Sequence, residues 1–354
     1  MTVRGTAVSL RAASAALRAP RAAQAATELA TPALVCGALL VTLAFRFPQL
    51  YSSNGIASAV TASAPLILTV LAMTPIAIAS PGGIDLSVGP FVAFLNVGIV
   101  HWLVSNGYGN PVAVFAFAIG VGIGFQLIQG LLIGALRLQP VIVTLAGYLV
   151  FSGLNLVVLP QPGGTVPGWL ERWGAATSAN TPELYLLLGC GVAWWLFSRT
   201  TFARNVRLVG GNDKAAWVSG LSPTLVRVGA HVVGGVFIGL AGITLTALLQ
   251  SADPTQGASQ TLMAVTALIV GGVSLAGGRG RALGAVIGAV DIFLIGYVIG
   301  TLDLGSSESF VSNLIYGAVL IGALFLGSLT GSVAGIRGRL TRATGSPATS
   351  AVLE

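Results

Sequence analysis

The sequence predicts an all-α polytopic membrane protein of about ten transmembrane helices. Of its 354 residues, 55% are hydrophobic and only 8% are charged, and the mean hydropathy is +0.90. Soluble domains carry about 25% charged residues, so the composition excludes that class. The apolar residues form long continuous runs, without the alternation typical of membrane β-barrel strands. Backbone polar groups inside a bilayer must bond within their own segment, which makes the spans helical.

Ten segments have the length that a membrane-spanning helix needs, roughly 20 mostly apolar residues. Their approximate ranges are 29–47, 55–80, 86–105, 111–136, 140–159, 182–199, 225–250, 260–277, 281–300 and 310–330. The predicted organisation is an amino-terminal arm at 1–28, a transmembrane domain at 29–330 and a carboxy-terminal tail at 331–354. Glycines such as Gly120, Gly122 and Gly124 predict close helix packing.

The basic residues predict the orientation, because cytoplasmic loops of membrane proteins carry an excess of Lys and Arg. With a cytoplasmic amino terminus, ten spans place 15 of the 17 Lys and Arg residues inside and leave Arg46 and Arg172 outside. The sequence therefore predicts a multi-pass protein of the plasma (inner) membrane with both termini in the cytoplasm. The net charge of +7 reflects this topology. The sequence has no basic patch with interleaved aromatic residues, so we expect no nucleic acid partner.

Two glycine-rich breaks interrupt the apolar spans. Residues 82–89 read GGIDLSVG and residues 271–278 read GGVSLAGG, 189 positions later, so both follow Gly-Gly-x-x-Leu-x-x-Gly. The repetition predicts an internal duplication of spans 1–4 in spans 7–10. An even offset makes the halves parallel pseudo-repeats. Glycines of this kind permit the broken helices of transporters, and the candidate break residues are Gly82, Gly83, Asp85, Gly89, Gly271, Gly272 and Gly278.

The longest predicted inner loop, 200–226, contains a second informative segment. Within it, Asn212 or Asp213 can cap a short helix over 214–218 that ends at Gly220. A short capped helix on the inner face suits contact with a partner protein, and a solvated connector is the alternative. These features alone leave both interpretations open.

Four motifs, taken in order, resemble the permease subunits of ribose-type ABC sugar importers. They are GGIDLSVG at 82–89, PVIVTL at 140–145, GGN at 210–212 followed by Ala215-Ala216 and Ser219-Gly220, and GGVSLAGGRG at 271–280. The resemblance covers about residues 50–330. It implies a transmembrane permease that passes a small sugar or sugar-like polar solute from an external solute-binding protein into the cytoplasm.

The same resemblance implies the partners of the chain. They are a second permease copy or a paralogue, a cytoplasmic tandem ATPase, the external solute-binding protein and the lipid bilayer. The segment implied to couple the permease to the ATPase comprises Gly210, Gly211, Asn212, Asp213, Lys214, Ala215, Ala216, Ser219 and Gly220. Three departures from the family pattern leave the substrate open: Ser152-Gly153 in place of Arg-Gly, the missing Asn-rich stretch near 296–298, and Asp291 in place of an apolar residue.

The sequence predicts no enzyme site and no cofactor. A phosphate-binding loop ends in Gly-Lys followed by Ser or Thr, whereas the only lysine, Lys214, precedes Ala215. His101 and His231 are isolated and lack metal-ligand spacing. ATP hydrolysis is therefore expected on a separate ATPase subunit.

Two acidic residues within the apolar region require an explanation, because a charged group at the bilayer centre costs about 2.5–3.5 kcal/mol on insertion scales. We interpret Asp85 as a cap for the amides that begin the third span. For Asp291, a pore-facing role and a hydrogen-bonded packing role both remain open. An ion-coupled secondary transporter that uses Asp291 is the alternative to the ATP-driven permease.

Overall fold

A computed structural model describes residues 29–176, 180–302 and 304–325. The predicted arm at 1–28 and tail at 331–354 lie outside the described residues. The helices are, in chain order, α1 Leu29–Arg46, α2 Ser53–Ala79, α3 Val88–Val97 with a π-helical continuation Gly98–Val104, α4 Pro111–Gly134, α5 Pro140–Val158, α6 Gly168–Gly174, α7 Pro182–Arg199, α8 Thr201–Gly211, α9 Asp213–Val218, α10 Pro223–Leu249, α11 Gly257–Val270, α12 Ala282–Gly300 and α13 Glu308–Phe325.

The all-α polytopic class is confirmed. Among the described residues, seven helices are long and apolar enough to cross a membrane, and the pair α7–α8, bent by 72°, adds an eighth. Two shorter apolar helices, Val88–Val104 and Gly257–Val270, occupy the third and eighth predicted spans. Helices thus lie at all ten predicted positions, while the count of ten membrane crossings stays a prediction.

One predicted boundary is wrong. The sequence predicts a span over 260–277, but α11 ends at Val270 because Gly271 and Gly272 form a turn, with φ of +77° at Gly272. The predicted inner loop at 200–226 is largely helical, since α8 and α9 occupy most of it. In α8 the small or apolar residues three apart, Ala203, Val206 and Val209, are buried, so this helix lies against the bundle.

Helices α2 and α10 form the centre of the bundle. Each has 27 residues, and 72% of its most apolar window is buried. Helix α4 packs closely on α10: a Cβ added at Gly235 would lie 2.7 Å from the Gly122 carbonyl oxygen, and one at Gly239 would lie 2.6 Å from that of Ala118. The two backbones are in direct contact, as glycine-rich faces allow in membranes.

Two helices at the margins of the bundle are mostly uncovered. Only 11% of the apolar window of α1 and 6% of that of α13 is buried. Phe45 on α1 and Phe310 on α13 are 84% and 78% exposed. Apolar faces of this size need lipid or another protein surface against them.

The connection between α10 and α11 is bound by the side chain of Asn96, near the end of α3. The Asn96 Nδ2 group donates to the Ser251 carbonyl at 2.9 Å, and the Asp253 amide donates to Asn96 Oδ1 at 2.9 Å. Asn96 is fully buried, so both ends of its side-chain amide satisfy backbone groups that lipid could not.

The contact between α4 and α10 predicts unequal effects for two glycines of α4. A side chain at Gly122 would overlap the Gly235 backbone, whereas nothing lies within 4 Å of a Cβ at Gly120. We expect Gly122→Val to lower the melting temperature of the purified protein, because overpacking against a backbone costs about 1–3 kcal/mol or more. Gly120→Val, the matched control, should melt like the original. Equal melting of the two variants would contradict this packing.

Candidate functional site

The first helix break begins where α2 ends at Ala79. Pro81 has no backbone N–H and cannot continue the helix, and Gly82 has a φ of +67°, which favours glycine. The Gly83 amide donates to the Ser80 carbonyl at 3.0 Å and closes the turn. The chain then runs without regular structure to Val88, where α3 starts.

Asp85 of this break is fully buried, and its carboxylate accepts hydrogen bonds from groups at the start of α3. Its Oδ1 atom accepts hydrogen bonds from the backbone N–H of Ser87 at 2.9 Å and from the Ser87 hydroxyl at 2.6 Å. Ser87 immediately precedes the first residue of α3. The carboxylate therefore sits at the positive end of the helix dipole, where a negative charge is stabilised.

A buried hydrogen-bond network joins Asp85 to α4 and α10. Gln126 Nε2 on α4 donates to Asp85 Oδ2 at 2.5 Å, and His231 Nδ1 on α10 lies 2.7 Å from Gln126 Oε1, to which it donates. Gln129 Nε2, one turn from Gln126, donates to the Ser87 hydroxyl at 2.7 Å. These bonds fix the first break against two long helices.

Sequence reasoning missed this network. Its signal was the pair Gln126 and Gln129, whose spacing of three residues places both amides on one face of an otherwise apolar helix. His231 was interpreted as an isolated packed residue, and its partner lies 105 positions away in the chain. Within the described part of the chain, no group of three or more His, Cys, Asp or Glu residues could hold a metal ion.

The second helix break follows α11, and beyond the turn at Gly272 it contains two more left-handed glycines, Gly277 and Gly278, with φ of +79° and +71°. The Ser274 amide donates to the Arg279 carbonyl at 3.0 Å, which folds residues 274–279 into a compact loop. Because both glycines have positive φ, other residues would strain this loop.

The two breaks lie side by side at one end of the bundle. The Gly82 amide donates to the Leu275 carbonyl at 2.8 Å, and the Gly278 amide donates to the Ile78 carbonyl at 2.9 Å. Helices α2 and α11 therefore both end at this place and run toward the same face. Breaks in inverted repeats would lie at opposite ends, so the arrangement supports parallel halves.

The end of α8 inserts between the breaks. A Cβ at Gly210 would overlap the Ile78 carbonyl oxygen and lie 2.7 Å from the Gly278 nitrogen, and a Cβ at Gly278 would lie 2.7 Å from the Gly211 Cα. We call this backbone contact of residues 78–82, 210–211 and 275–278 the glycine junction. It brings together both predicted helix-break motifs and the first two residues of the predicted coupling segment.

Helix α9 follows the junction directly and has defined ends. The Asn212 side chain accepts from the Ala215 amide at 3.0 Å, so Asn212 is the cap. At the other end, Gly220 has a φ of +80°, its amide donates to Trp217 and the Leu221 amide donates to Ala216. This pair of bonds is a Schellman motif. These two capping interactions limit α9 to six residues.

Asp213, the other candidate cap, forms an ion pair instead. Its carboxylate accepts two hydrogen bonds from the Arg227 guanidinium, at 2.6 and 2.8 Å, which hold α9 against the start of α10. The Arg227 side chain is only 15% exposed. A partly buried charge-assisted bond of this kind is stronger than an exposed surface pair.

The coupling residues implied by the sequence divide into inward and outward groups. Gly210 and Ala216 are buried and serve packing. The exposed members are Gly211, Asn212, Lys214, Ala215, Ser219 and Gly220. Two exposed apolar residues of α9 that were not predicted, Trp217 and Val218, are 68% and 86% exposed. Their signal in the sequence was a pair of large apolar residues in a short, otherwise polar or small-residue helix.

Asp291 lies apart from the glycine junction. It is fully buried on α12. The thiol of Cys36 on α1 lies beside it. The position is thus an interface between α1 and α12, and the pore-facing role stays a hypothesis.

The Asp85 network predicts that one substitution is tolerated and another is not. In Asp85→Asn, rotation of the Gln126 amide lets the new amide donate to Gln126 and lets Gln126 donate to the other tautomer of His231. Asp85→Leu leaves buried donors without acceptors, at about 1–3 kcal/mol for each. We expect the Asn variant to melt near the original and the Leu variant well below it. Equal destabilisation would mean that the network needs the charge itself.

The sequence is similar to those of known transport permeases. The family described as the permease component of branched-chain amino acid transport systems matches residues 55–329. The ribose import permease of Bacillus subtilis (strain 168) is 35% identical over 252 residues, which cover 69% of this chain and 76% of that protein.

Two further relatives match over more of the chain. The L-arabinose ABC transporter permease of Azospirillum brasilense is 29% identical over 288 residues, covering 80% of this chain and 82% of its own length. The galactose/methyl galactoside import permease of Escherichia coli (strain K12) is 28% identical over 312 residues, covering 82% and 91%. No solved structure matches the chain.

The family match spans the membrane bundle from α2 to the end of α13, including both helix breaks and the coupling segment. The resemblance to ribose-type ABC sugar permeases is confirmed by it and by the relatives. The chain belongs to the permease-component family of these transport systems.

Proposed function

We propose that the protein is the membrane permease of an ATP-driven importer that passes a small sugar or sugar-like polar solute into the cytoplasm. The observation that carries the proposal is the glycine junction, where the predicted coupling segment contacts the ends of two membrane helices through backbone atoms. The names of the relatives, which import ribose, L-arabinose and galactose or methyl galactoside, support a sugar as the solute.

A cytoplasmic tandem ATPase is the partner proposed for α9. The exposed face of α9, made by Lys214, Trp217 and Val218, offers a large aromatic anchor beside a cation. Tryptophan is enriched among residues that contribute most to binding at protein interfaces. The Asp213–Arg227 pair and the Schellman ending hold this face in one orientation, so little conformational entropy is lost on docking.

Movement of α9 reaches the membrane helices through the glycine junction. Gly210 contacts the backbones of both breaks, and Gly211 contacts that of the second, without intervening side chains. A contact between backbones has no rotamers to absorb a displacement, so a shift of α8 moves the ends of α2 and α11. From the first break, the Asp85 network extends the connection to α4 and α10.

The basic residues support placing the junction end in the cytoplasm. Arg137, Arg204, Arg207 and Lys214 are exposed at this end of the bundle. The excess of Lys and Arg in cytoplasmic loops is the basis for this orientation. The opposite end is then the side proposed to receive solute from an external binding protein.

A second copy of the permease, or a paralogue, is proposed to complete the pore. The uncovered apolar faces of α1 and α13 support an additional protein or lipid surface against them. The relatives named above are import or ABC transporter permeases, and nothing in these comparisons favours the ion-coupled alternative.

The function predicts that uptake needs three components. Proteoliposomes that contain this chain, a tandem ATPase and a sugar-loaded binding protein should accumulate labelled sugar only when ATP is supplied. Ribose, arabinose and galactose form the first panel of substrates. The chain alone should neither hydrolyse ATP nor move sugar under a proton or sodium gradient, since it has no phosphate-binding loop.

An ion-coupled secondary transporter would instead take up sugar in the same vesicles without ATP, driven by the ion gradient. Gradient-driven uptake by the isolated chain that disappears in Asp291→Asn would overturn the ATP-driven permease. An ATP-driven permease with this substitution keeps its dependence on ATP and changes at most in rate.

A further inference from the structure

A cleft of about 720 Å³ opens beside α9 at the junction end. Its walls are the turn between α4 and α5, the outer side of α9, the first turn of α10 and residues Ser80 and Pro81 of the first break. The turn between α4 and α5 connects two apolar helices long enough to cross the membrane. The cleft therefore lies where membrane helices end and the bilayer headgroups begin.

The charges of the cleft are mostly positive. Arg137, Lys214 and Arg227 line it together with a single carboxylate, Asp213. Asp213 is paired with Arg227 at 2.6 Å. Arg137 and Lys214 are exposed and make no ion pair within the described ranges. The exposed donors of Arg137 and Lys214 therefore remain available for an anion.

Two backbone features characterise the cleft. One is the start of a helix, and the other is the conformation of Arg137. Helix α10, 27 residues long, begins in the cleft wall at Pro223, and the start of a helix carries partial positive charge. Arg137 has a φ of +56°, a conformation that glycine or asparagine adopts more readily. Arg137 nevertheless adopts it, and its side chain lines the cleft.

The rim of the cleft is apolar and continues onto membrane-facing surfaces. Leu138, Trp217 and Val218 line it and are 46%, 68% and 86% exposed. Next to them, Leu136 and Ile142, at the facing ends of α4 and α5, are 65% and 62% exposed. A ligand that satisfies this surface needs an anionic group and a hydrophobic part.

We propose that the cleft binds the headgroup of an anionic phospholipid, with the phosphate near Arg137 and Lys214 and the acyl chains along α4 and α5. Basic pockets between membrane helices on the cytoplasmic side suit anionic lipid headgroups. Free phosphate would use the cations but would leave the apolar rim exposed to water. An acidic segment of a protein would meet the same cations, and the test below separates it.

Lipid in this cleft links membrane composition to the coupling helix. One wall of the cleft is α9 itself, which the Asp213–Arg227 pair already holds against α10. A bound headgroup adds contacts on the other side of Lys214. The lipid therefore stabilises the orientation of α9 in the free permease. Because Lys214, Trp217 and Val218 also form the face proposed for the ATPase, a docked ATPase would displace the lipid from these residues.

The experiment counts lipids bound to the full-length permease alone. The protein is reconstituted in nanodiscs of phosphatidylcholine with increasing phosphatidylglycerol and released for native mass spectrometry. We expect about one tightly retained phosphatidylglycerol for each chain. Arg137→Gln with Lys214→Gln should weaken its retention about tenfold, a loss of about 1.4 kcal/mol. Arg204→Gln with Arg207→Gln removes equal charge from exposed positions on α8 outside the cleft and should leave retention unchanged.

Several outcomes would overturn the proposal. They are equal retention of both lipids, equal loss in both double variants, and displacement of phosphatidylglycerol by millimolar inorganic phosphate. So would a cleft variant that retains phosphatidylglycerol like the original but binds the ATPase more weakly, which would assign the cleft to a protein. The charge-preserving pair Arg137→Lys and Lys214→Arg should retain the lipid, which guards against a folding artefact. The lipid count itself needs no ATPase, so that result is independent of the proposed transport function.

Discussion

Direct backbone contact at the glycine junction is the constraint on which the rest of this structure depends. Three segments that are far apart in the chain approach until amides and carbonyls bond between the two breaks. Any Cβ at Gly210 would enter the Ile78 carbonyl oxygen. Because this contact excludes side chains, the ends of α2, α8 and α11 have few ways to move independently. Helix α8 and the membrane helices α2 and α11 therefore move together.

Local patterns in the sequence predicted the parts of this structure that depend on neighbouring residues. The glycine breaks, the short helix α9 and its end at Gly220 follow from capping and from positive φ, which are properties of a few adjacent residues. The all-α class followed from composition. The end of α11 was predicted seven residues too late, because hydropathy stays high through the turn at Gly271 and Gly272.

Contacts between distant segments could not be predicted. Nothing near Gly210 in sequence shows that it meets Ile78 and Gly278, and nothing near Gln126 shows that it joins Asp85 to His231. The sequence offered Asp213 as a possible cap, but Arg227, 14 positions later, takes its carboxylate. Asp291 was recognised as unusual, whereas its position beside Cys36 depends on how α1 packs on α12.

Two adjacent glycines in α8 form a matched pair that tests coupling through the glycine junction. A Cβ at Gly210 overlaps the first break, whereas nothing lies within 4 Å of a Cβ at Gly211. Both variants, Gly210→Val and Gly211→Val, are reconstituted with the ATPase and a sugar-loaded binding protein, after checking that the ATPase still co-purifies. We expect sugar-stimulated ATP turnover to fall about tenfold or more in the Gly210 variant, a change of about 1.4 kcal/mol in the barrier. Turnover in the Gly211 variant should stay near the original. Full sugar-dependent turnover by Gly210→Val would contradict coupling through the glycine junction.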